Sequence, residues 1–340
     1  MADSNQGARH FFEVFLGGKR EKMYFCRMNE MYRETRRLLK TGGMEEGEAK
    51  AVALLLMEKV CGLTVEAVLR GEEVESEEMA ERLRGCAKRV AEGEPVQYVL
   101  GVAEFCGMEM EVEPGVLIPR KETEEMVEWV VEERQGKPAC AGALRREEGL
   151  EGPAYAGVRV LDVGTGSGCI AVALARKLEG AKVEAWDVSE KALEMARRNA
   201  KKWSVEVEVK KVDVRFAATA SHHTKQERER EGQEKQQGYL DVLVSNPPYV
   251  CESERGEMEA NVVEHEPHVA LFVPDEDPLY FYRRIAEIGL QLLRDGGMLF
   301  FEINRRFGKE MVALLEGMGY HDVVLRKDGF GNDRMVKAIK

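Results

Sequence analysis

Residues Val158 to Gly168 read VRVLDVGTGSG, and Leu240 to Val250 read LDVLVSNPPYV. Each opens as a short, largely apolar, β-branched run, the pattern of a strand buried on both faces, and each stops abruptly. In the first, Gly164-Thr165-Gly166-Ser167-Gly168 leads straight into a helical pattern from Cys169 to Leu178. Glycines there let the backbone approach a ligand closely, and the helix N-terminus offers free N–H groups. The next strand, Lys182 to Trp186, ends in Asp187, 23 positions after Gly164, where a carboxylate can accept from ribose hydroxyls. Asp213 follows a strand over Val205 to Val212 and is expected at the same sheet edge, within reach of a base. Strand, glycine loop, helix, strand and acid in that order predict a Rossmann-like α/β sheet and a nucleoside-bearing ligand. The pattern alone does not separate NAD from S-adenosylmethionine.

The second stretch says what happens beside that ligand. Two prolines cannot continue a sheet ladder, so Asn246-Pro247-Pro248-Tyr249 forms a stiff turn at the carboxyl end of its strand. The Asn246 side-chain oxygen and the Pro247 carbonyl both accept, and together they suit the two hydrogens of a planar NH2 group, with Tyr249 offering a flat face behind it. An amide nitrogen is a poor nucleophile because its lone pair is delocalised, as a rotation barrier of roughly 18–20 kcal/mol attests. Pulling on both hydrogens returns density to nitrogen and aims it.

Outward from these stretches, the 340-residue chain is 44% hydrophobic, enough for a large core and two domains. A net charge of −12 argues against broad affinity for nucleic acid. Seven cysteines without a CxxC pair suggest reduced thiols and a cytoplasmic location, and no apolar run reaches the length of a membrane span. His265-Glu266-Pro267-His268 lacks helical metal-ligand spacing, so no metal site is expected. Residues 1–27 read as a disordered leader and residues 28–93 as a helical bundle with caps at Thr64 and Ser76. Residues 94–119 read as a β-hairpin linker turning near Cys106-Gly107, because Met108, Met110 and Val112 alternate with Glu109, Glu111 and Glu113. Residues 120–340 carry the sheet domain, opening on a helix capped by Thr123, with surface insertions at 135–157 and 217–238. A helix over Leu279 to Leu293, a stop at Asp295-Gly296-Gly297, a strand over Met298 to Ile303 and a hairpin of His321 to Arg326 with Met335 to Ile339 complete it.

Five pieces together carry a resemblance: Pro95-Val96-Gln97-Tyr98 with Gly101, Leu117 to Arg120 with Glu122-Thr123-Glu124, DVGTGSG, SNPPY, and Glu266-Pro267 before Ala270-Leu271. From about Glu30 to Lys340 the chain resembles the release factor glutamine N5-methyltransferases, within the class I S-adenosylmethionine-dependent methyltransferases. It departs from the family pattern at Lys121, at Val214-Arg215 after Asp213, and at Val273-Pro274 and Pro278. The resemblance implies a seven-stranded sheet with a helical substrate-docking domain. It implies S-adenosylmethionine held by Gly164, Thr165, Gly166, Ser167, Gly168, Asp187, Asp213 and Val214, with Asn246 nearby. It also implies that Asn246, Pro247, Pro248 and Tyr249 hold the glutamine amide of a Gly-Gly-Gln loop in class 1 peptide chain release factors, with the enzyme acting as a monomer. A nucleic acid amino-methyltransferase would use the same turn on adenine or guanine, but would need a basic face. A dinucleotide oxidoreductase would leave the turn idle, and a non-catalytic release-factor binder would need no cofactor pocket.

Overall fold

The computed structural model describes residues 29–134, 155–217 and 238–340. The expected leader, and all but the margins of the two expected insertions, lie outside those residues.

The chain divides into two compact units, one of Met1–Val102 with Glu257–His265 and one of Ala103–Gly256 with Glu266–Lys340. In the first unit, α1 (Glu30–Thr41), α2 (Glu46–Cys61), α3 (Val65–Arg70), α4 (Glu77–Ala91) and α5 (Val96–Leu100) follow in turn. Side chains of Asn29, Thr64 and Ser76 accept from the backbone N–H of Tyr32, Ala67 and Met79, capping α1, α3 and α4. Tyr32 and Leu39 on α1, Leu56, Met57 and Val60 on α2, and Leu83 and Val90 on α4 meet in one core. Helical spacing puts each set on a single face. The stretch from Gln97 read as hairpin is instead helical as far as Leu100. Strands β1 (Val102–Phe105) and β2 (Met108–Glu111) then pair, with Cys106 and Gly107 at φ 51° and 70° in the turn.

The second unit is built on a seven-stranded sheet of order β10-β11-β9-β6-β3-β4-β5. Its strands are β3 (Arg159–Val163), β4 (Lys182–Asp187), β5 (Val207–Lys211), β6 (Leu240–Ser245), β9 (Leu293–Glu302), β10 (His321–Lys327) and β11 (Asp333–Ile339). Strands β5, β4, β3, β6 and β9 run parallel; β11 and β10 close one edge as the expected antiparallel hairpin. Successive side chains point to opposite faces, so the sheet feeds two cores. Val160, Val242 and Met298 enter one, beside Met126 and Leu174; Leu161, Leu243 and Leu299 enter the other, beside Ile285 and Leu315. The flanking helices are α6 (Lys121–Arg134), α7 (Cys169–Lys177), α8 (Glu190–Lys202), α10 (Tyr280–Leu292) and α11 (Gly308–Gly317), while α9 (Ala260–His265) belongs to the first unit. All of β6 is buried, including Asp241, which accepts from the Arg159 backbone N–H and from Arg294 Nε, each at 2.9 Å.

Three expectations are corrected here. Thr123 does not cap α6, which starts at Lys121; it lies inside the first turn. The turn Asp295-Gly296-Gly297 does not delay the strand, because β9 already begins at Leu293 and carries the glycines through a register shift against Leu240–Val242. Between Cys251 and Pro278 the chain is not all loop: β7 (Val250–Cys251) pairs in parallel with β8 (Phe272–Val273).

Candidate functional site

Register decides which residues meet. Val163 is level with Trp186 on one side and with Ser245 on the other, and Ser245 is level with Phe301. The next residue along each strand therefore comes at one height: Gly164 and Asn246, just past β3 and β6, and Asp187 and Glu302, the last residues of β4 and β9, form a row along the carboxyl edge. The chain runs from β3 to β4 and β5 on one side, then returns to β6 on the other, so the row spans the point where strand order reverses. Ligands of open α/β sheets bind in that crevice. A cleft lies there, lined by Gly164 to Ser167, Asp187, Asp213, Val214 and Asn246 to Pro248, with Val116 to Arg120 and Thr123 on its other wall.

On the glycine-loop side the backbone makes the geometry. Gly164, Gly166 and Gly168 all have positive φ, at 73°, 55° and 80°. A Cβ built on Gly164 or Gly166 meets nothing within 4 Å, leaving open space over the loop. Gly168 does not line the cleft; a Cβ there would stand 2.8 Å from the Ala196 Cα, so this glycine lets α7 pack on α8. Asp187 accepts from the Gly166 N–H at 3.0 Å through one oxygen and from the Ser189 N–H at 2.8 Å through the other. Each oxygen keeps a lone pair, so the carboxylate is aimed and still able to take two hydroxyls. Burial raises its pKa, and those backbone N–H groups pull against the rise. Behind the loop, burial pushes the Asp162 carboxyl to about 7, although the Thr165 hydroxyl donates to it at 2.6 Å.

Asp213 lines the cleft, but its carboxylate is gripped by Arg215, whose Nε and terminal nitrogen donate to both oxygens at 2.6 to 3.1 Å. That contact holds its pKa below the ordinary carboxylate value. Its side chain is thus occupied, while Val214 forms part of the wall.

On the turn side, Asn246 Nδ2 donates to Thr123 Oγ1 at 3.2 Å, and Pro247 and Pro248 line the cleft. Tyr249 departs from expectation: it is not a cleft-lining residue, and it packs against the core that Leu161, Leu243 and Leu299 enter. Its hydroxyl donates to Glu302 Oε1 at 3.0 Å, and its carbonyl accepts from Asn304 Nδ2 at 3.0 Å. Burial and the Glu302 carboxylate drive the phenol pKa far up, so it remains a neutral donor.

Sequence reasoning passed over Glu302 and the Glu266–Arg120 ion pair as site residues. Glu266 is buried, pairs with Arg120 and accepts from the Ile118 N–H, tying the cleft wall at Ile118–Arg120 to the segment before Ala270. Glu302 had one visible signal, an acid closing the apolar run Met298 to Phe301, as Asp187 closes its own strand. Among the described residues, no cluster of His, Cys, Asp and Glu could hold a metal, and no helix is long and apolar enough to cross a membrane.

Residues 30–101 match the PrmC N-terminal domain and residues 150–268 the methyltransferase small domain. The release factor glutamine methyltransferase of Bacteroides thetaiotaomicron is 42% identical over 292 residues, 86% of this chain and 92% of that protein. That of Chlorobaculum tepidum is 36% identical over 293 residues, 86% of this chain and 90% of its own. That of Flavobacterium psychrophilum is 42% identical over 250 residues, 74% and 77% of the two chains. The reversing parallel sheet, the open glycine loop and the strand-end acid are those of a class I methyltransferase. Within that class, the chain belongs to the release factor glutamine methyltransferase family.

Proposed function

We propose that this protein transfers a methyl group from S-adenosylmethionine to the side-chain amide nitrogen, N5, of the glutamine in the Gly-Gly-Gln loop of class 1 peptide chain release factors. The observation that carries the reading is the Asn246 amide, whose NH2 is committed to Thr123 at 3.2 Å. Its oxygen therefore remains an acceptor at the end of β6, level with the glycine loop. With the Pro247 carbonyl it takes the two hydrogens of the target amide, draws density onto nitrogen and points the lone pair. The residues present suit the cofactor: Gly164 and Gly166 leave open space, Asp187 would accept its ribose hydroxyls, and Val214 would lie on the base side. When bound, it supplies a methyl group on a positively charged sulfur. No base need titrate before attack, because a methylated amide nitrogen cation is strongly acidic and loses its proton to the acceptors around it or to solvent. Tyr249 supports the turn from behind, through Glu302, rather than facing the substrate.

In this reading the helical region 28–93 docks the release factor and residues 120–340 carry the chemistry, in a monomer working in the cytoplasm. A three-residue loop offers little area to grip, so affinity must come from surfaces away from the reacting amide. The test is labelled methyl transfer to a release factor, to its Gln→Ala variant, and to duplex DNA and total RNA over a salt series. Transfer to the protein that the Gln→Ala change abolishes is the expected result. Transfer to nucleic acid alone, weakening steeply with salt, would refute it.

A further inference from the structure

Resting on that reading, we propose that Glu302 is a positioning residue that sets, through the Thr123 hydroxyl, which way the Asn246 amide faces. Glu302 ends β9 and is 1% exposed. Its Oε2 accepts from Thr123 Oγ1 at 2.6 Å, and its Oε1 accepts from the Tyr249 hydroxyl at 3.0 Å. Thr123 is 2% exposed, and its Oγ1 also meets Asn246 Nδ2 at 3.2 Å.

The logic is one of donor count. Burial raises the Glu302 pKa, and the Thr123 and Tyr249 hydroxyls, both donating to its oxygens, pull the other way and hold the carboxylate as an acceptor. An ionised carboxylate only accepts, and a hydroxyl has a single hydrogen. At 2.6 Å, the O–H···O distance is in the range of a charge-assisted bond, so the Thr123 hydrogen belongs to Glu302. The lone pairs of Oγ1 are then all that Thr123 can offer Asn246, and only an NH2 can meet them. An asparagine side chain has two nearly isosteric orientations half a turn apart, and this relay excludes one. In the excluded orientation an NH2 would replace the carbonyl oxygen at the position facing the target amide, setting donor against donor where the reaction needs an acceptor. Three separate elements meet here, α6, the turn after β6 and the end of β9. An apolar contact could join them equally well but could not distinguish oxygen from nitrogen.

The test compares Thr123→Val, which keeps shape and removes the hydroxyl, with Thr123→Ser, which restores it, and with Glu302→Gln, which lets the hydroxyl reverse. Single-turnover methyl transfer to a release factor is measured alongside calorimetric S-adenosylmethionine binding. Thr123→Val should lower the rate roughly tenfold to a hundredfold, the scale of one preorganised hydrogen bond to a reacting group. It should lower cofactor affinity far less than the rate, since Val keeps the shape of the cleft wall at position 123 and the lost hydroxyl is bonded to Glu302 and Asn246. Thr123→Ser should recover most of the rate, and Glu302→Gln should lose part of it.

The decisive arm uses an Asn246→Ala background. With no amide left to orient, adding Thr123→Val should change the residual rate by less than about twofold, because residues acting through one group are not additive. A rate unaffected by Thr123→Val would overturn the proposal, and so would independent, multiplying losses in the double variant. Failure of the substrate reading looks different. Wild-type protein would then methylate nucleic acid and not the release factor, and the same variants, assayed on that acceptor, would still report on the relay.

Discussion

The two sides of the carboxyl-edge row hold their key polar groups by different means. Asp187 is fixed by backbone N–H groups of Gly166 and Ser189, close to it in sequence and in the chain path of one βαβ unit. Asn246 is fixed by a side-chain hydroxyl 123 positions away, which is itself fixed by a carboxylate 179 positions from it. The glycine-loop side should therefore break when atoms are added to its backbone. The turn side should break when single polar atoms are taken away.

Removing the Asn246 amide should have the largest effect. Asn246→Ala is expected to lower the single-turnover rate by about two orders of magnitude or more, by analogy with losing one preorganised hydrogen-bonding group that acts in the transition state of acyl transfer. Asn246→Asp keeps shape and acceptors but loses the NH2 that meets Thr123 and adds charge, so it should also fall well below wild type. If both variants matched wild type in single turnovers, the turn would not orient the acceptor at all.

On the opposite side, the sharpest break is an added methyl. Gly168→Ala would force a side chain at φ +80° and bring its Cβ within 2.9 Å of both the Ala196 Cα and Cβ. Left-handed strain and overpacking against helix backbone together should cost about 2–4 kcal/mol of stability. Chemical denaturation would measure it, and a loss under about 1 kcal/mol would mean that α7 and α8 can separate freely.

The same contrast explains what could be read from sequence. Gly164, Gly166 and Asp187 were legible because backbone-held geometry needs particular residues at fixed local spacing, and that spacing is written in one stretch. The Asn246-Pro247-Pro248 turn was legible because proline dictates where a strand must end. Thr123 was visible as a helix cap and within the resemblance, and Glu302 only as a residue inside the strand over Met298 to Ile303, since nothing local links positions 123, 246 and 302. Tyr249 was assigned a face in the cleft because its neighbours line it. The ring packs instead against the second core and its hydroxyl reaches Glu302, a choice made by that core rather than by the motif.

Third in size is Asp187→Ala, which removes acceptors for two hydroxyls. Such bonds contribute roughly 1.5–3 kcal/mol, so calorimetry should show S-adenosylmethionine affinity falling tenfold to a hundredfold. Unchanged affinity would remove Asp187 from the cofactor site. The pH dependence has a definite sign. Burial raises the Asp187 pKa, so its proton returns at higher pH than for a surface aspartate. Affinity should decline as pH is lowered from neutral, and Asp187→Asn, which cannot titrate, should abolish that decline.

The smallest effect separates two acids that the sequence presents alike. Asp187 and Asp213 both follow strands of the parallel sheet and both line the cleft. Asp187 has its oxygens oriented by backbone N–H groups that leave lone pairs free, while Asp213, half-buried in the cleft lining, directs both oxygens at the exposed Arg215, and that contact lowers its pKa. An exposed pair of this kind contributes about 0–1 kcal/mol, and a ligand group competing for the same oxygens would have to displace a guanidinium. Asp213→Asn should therefore shift S-adenosylmethionine affinity by less than about threefold, where Asp187→Asn shifts it by tenfold or more. Arg215→Ala is the companion measurement, since it frees the Asp213 carboxylate without altering it. If Asp213 touches the ligand only after release from Arg215, this variant should bind the cofactor more tightly than wild type, and Asp213→Asn added on top should return affinity to the wild-type value. A tenfold loss from Asp213→Asn alone would show instead that the carboxylate leaves Arg215 when the cofactor binds, making the two strand-end acids equal partners.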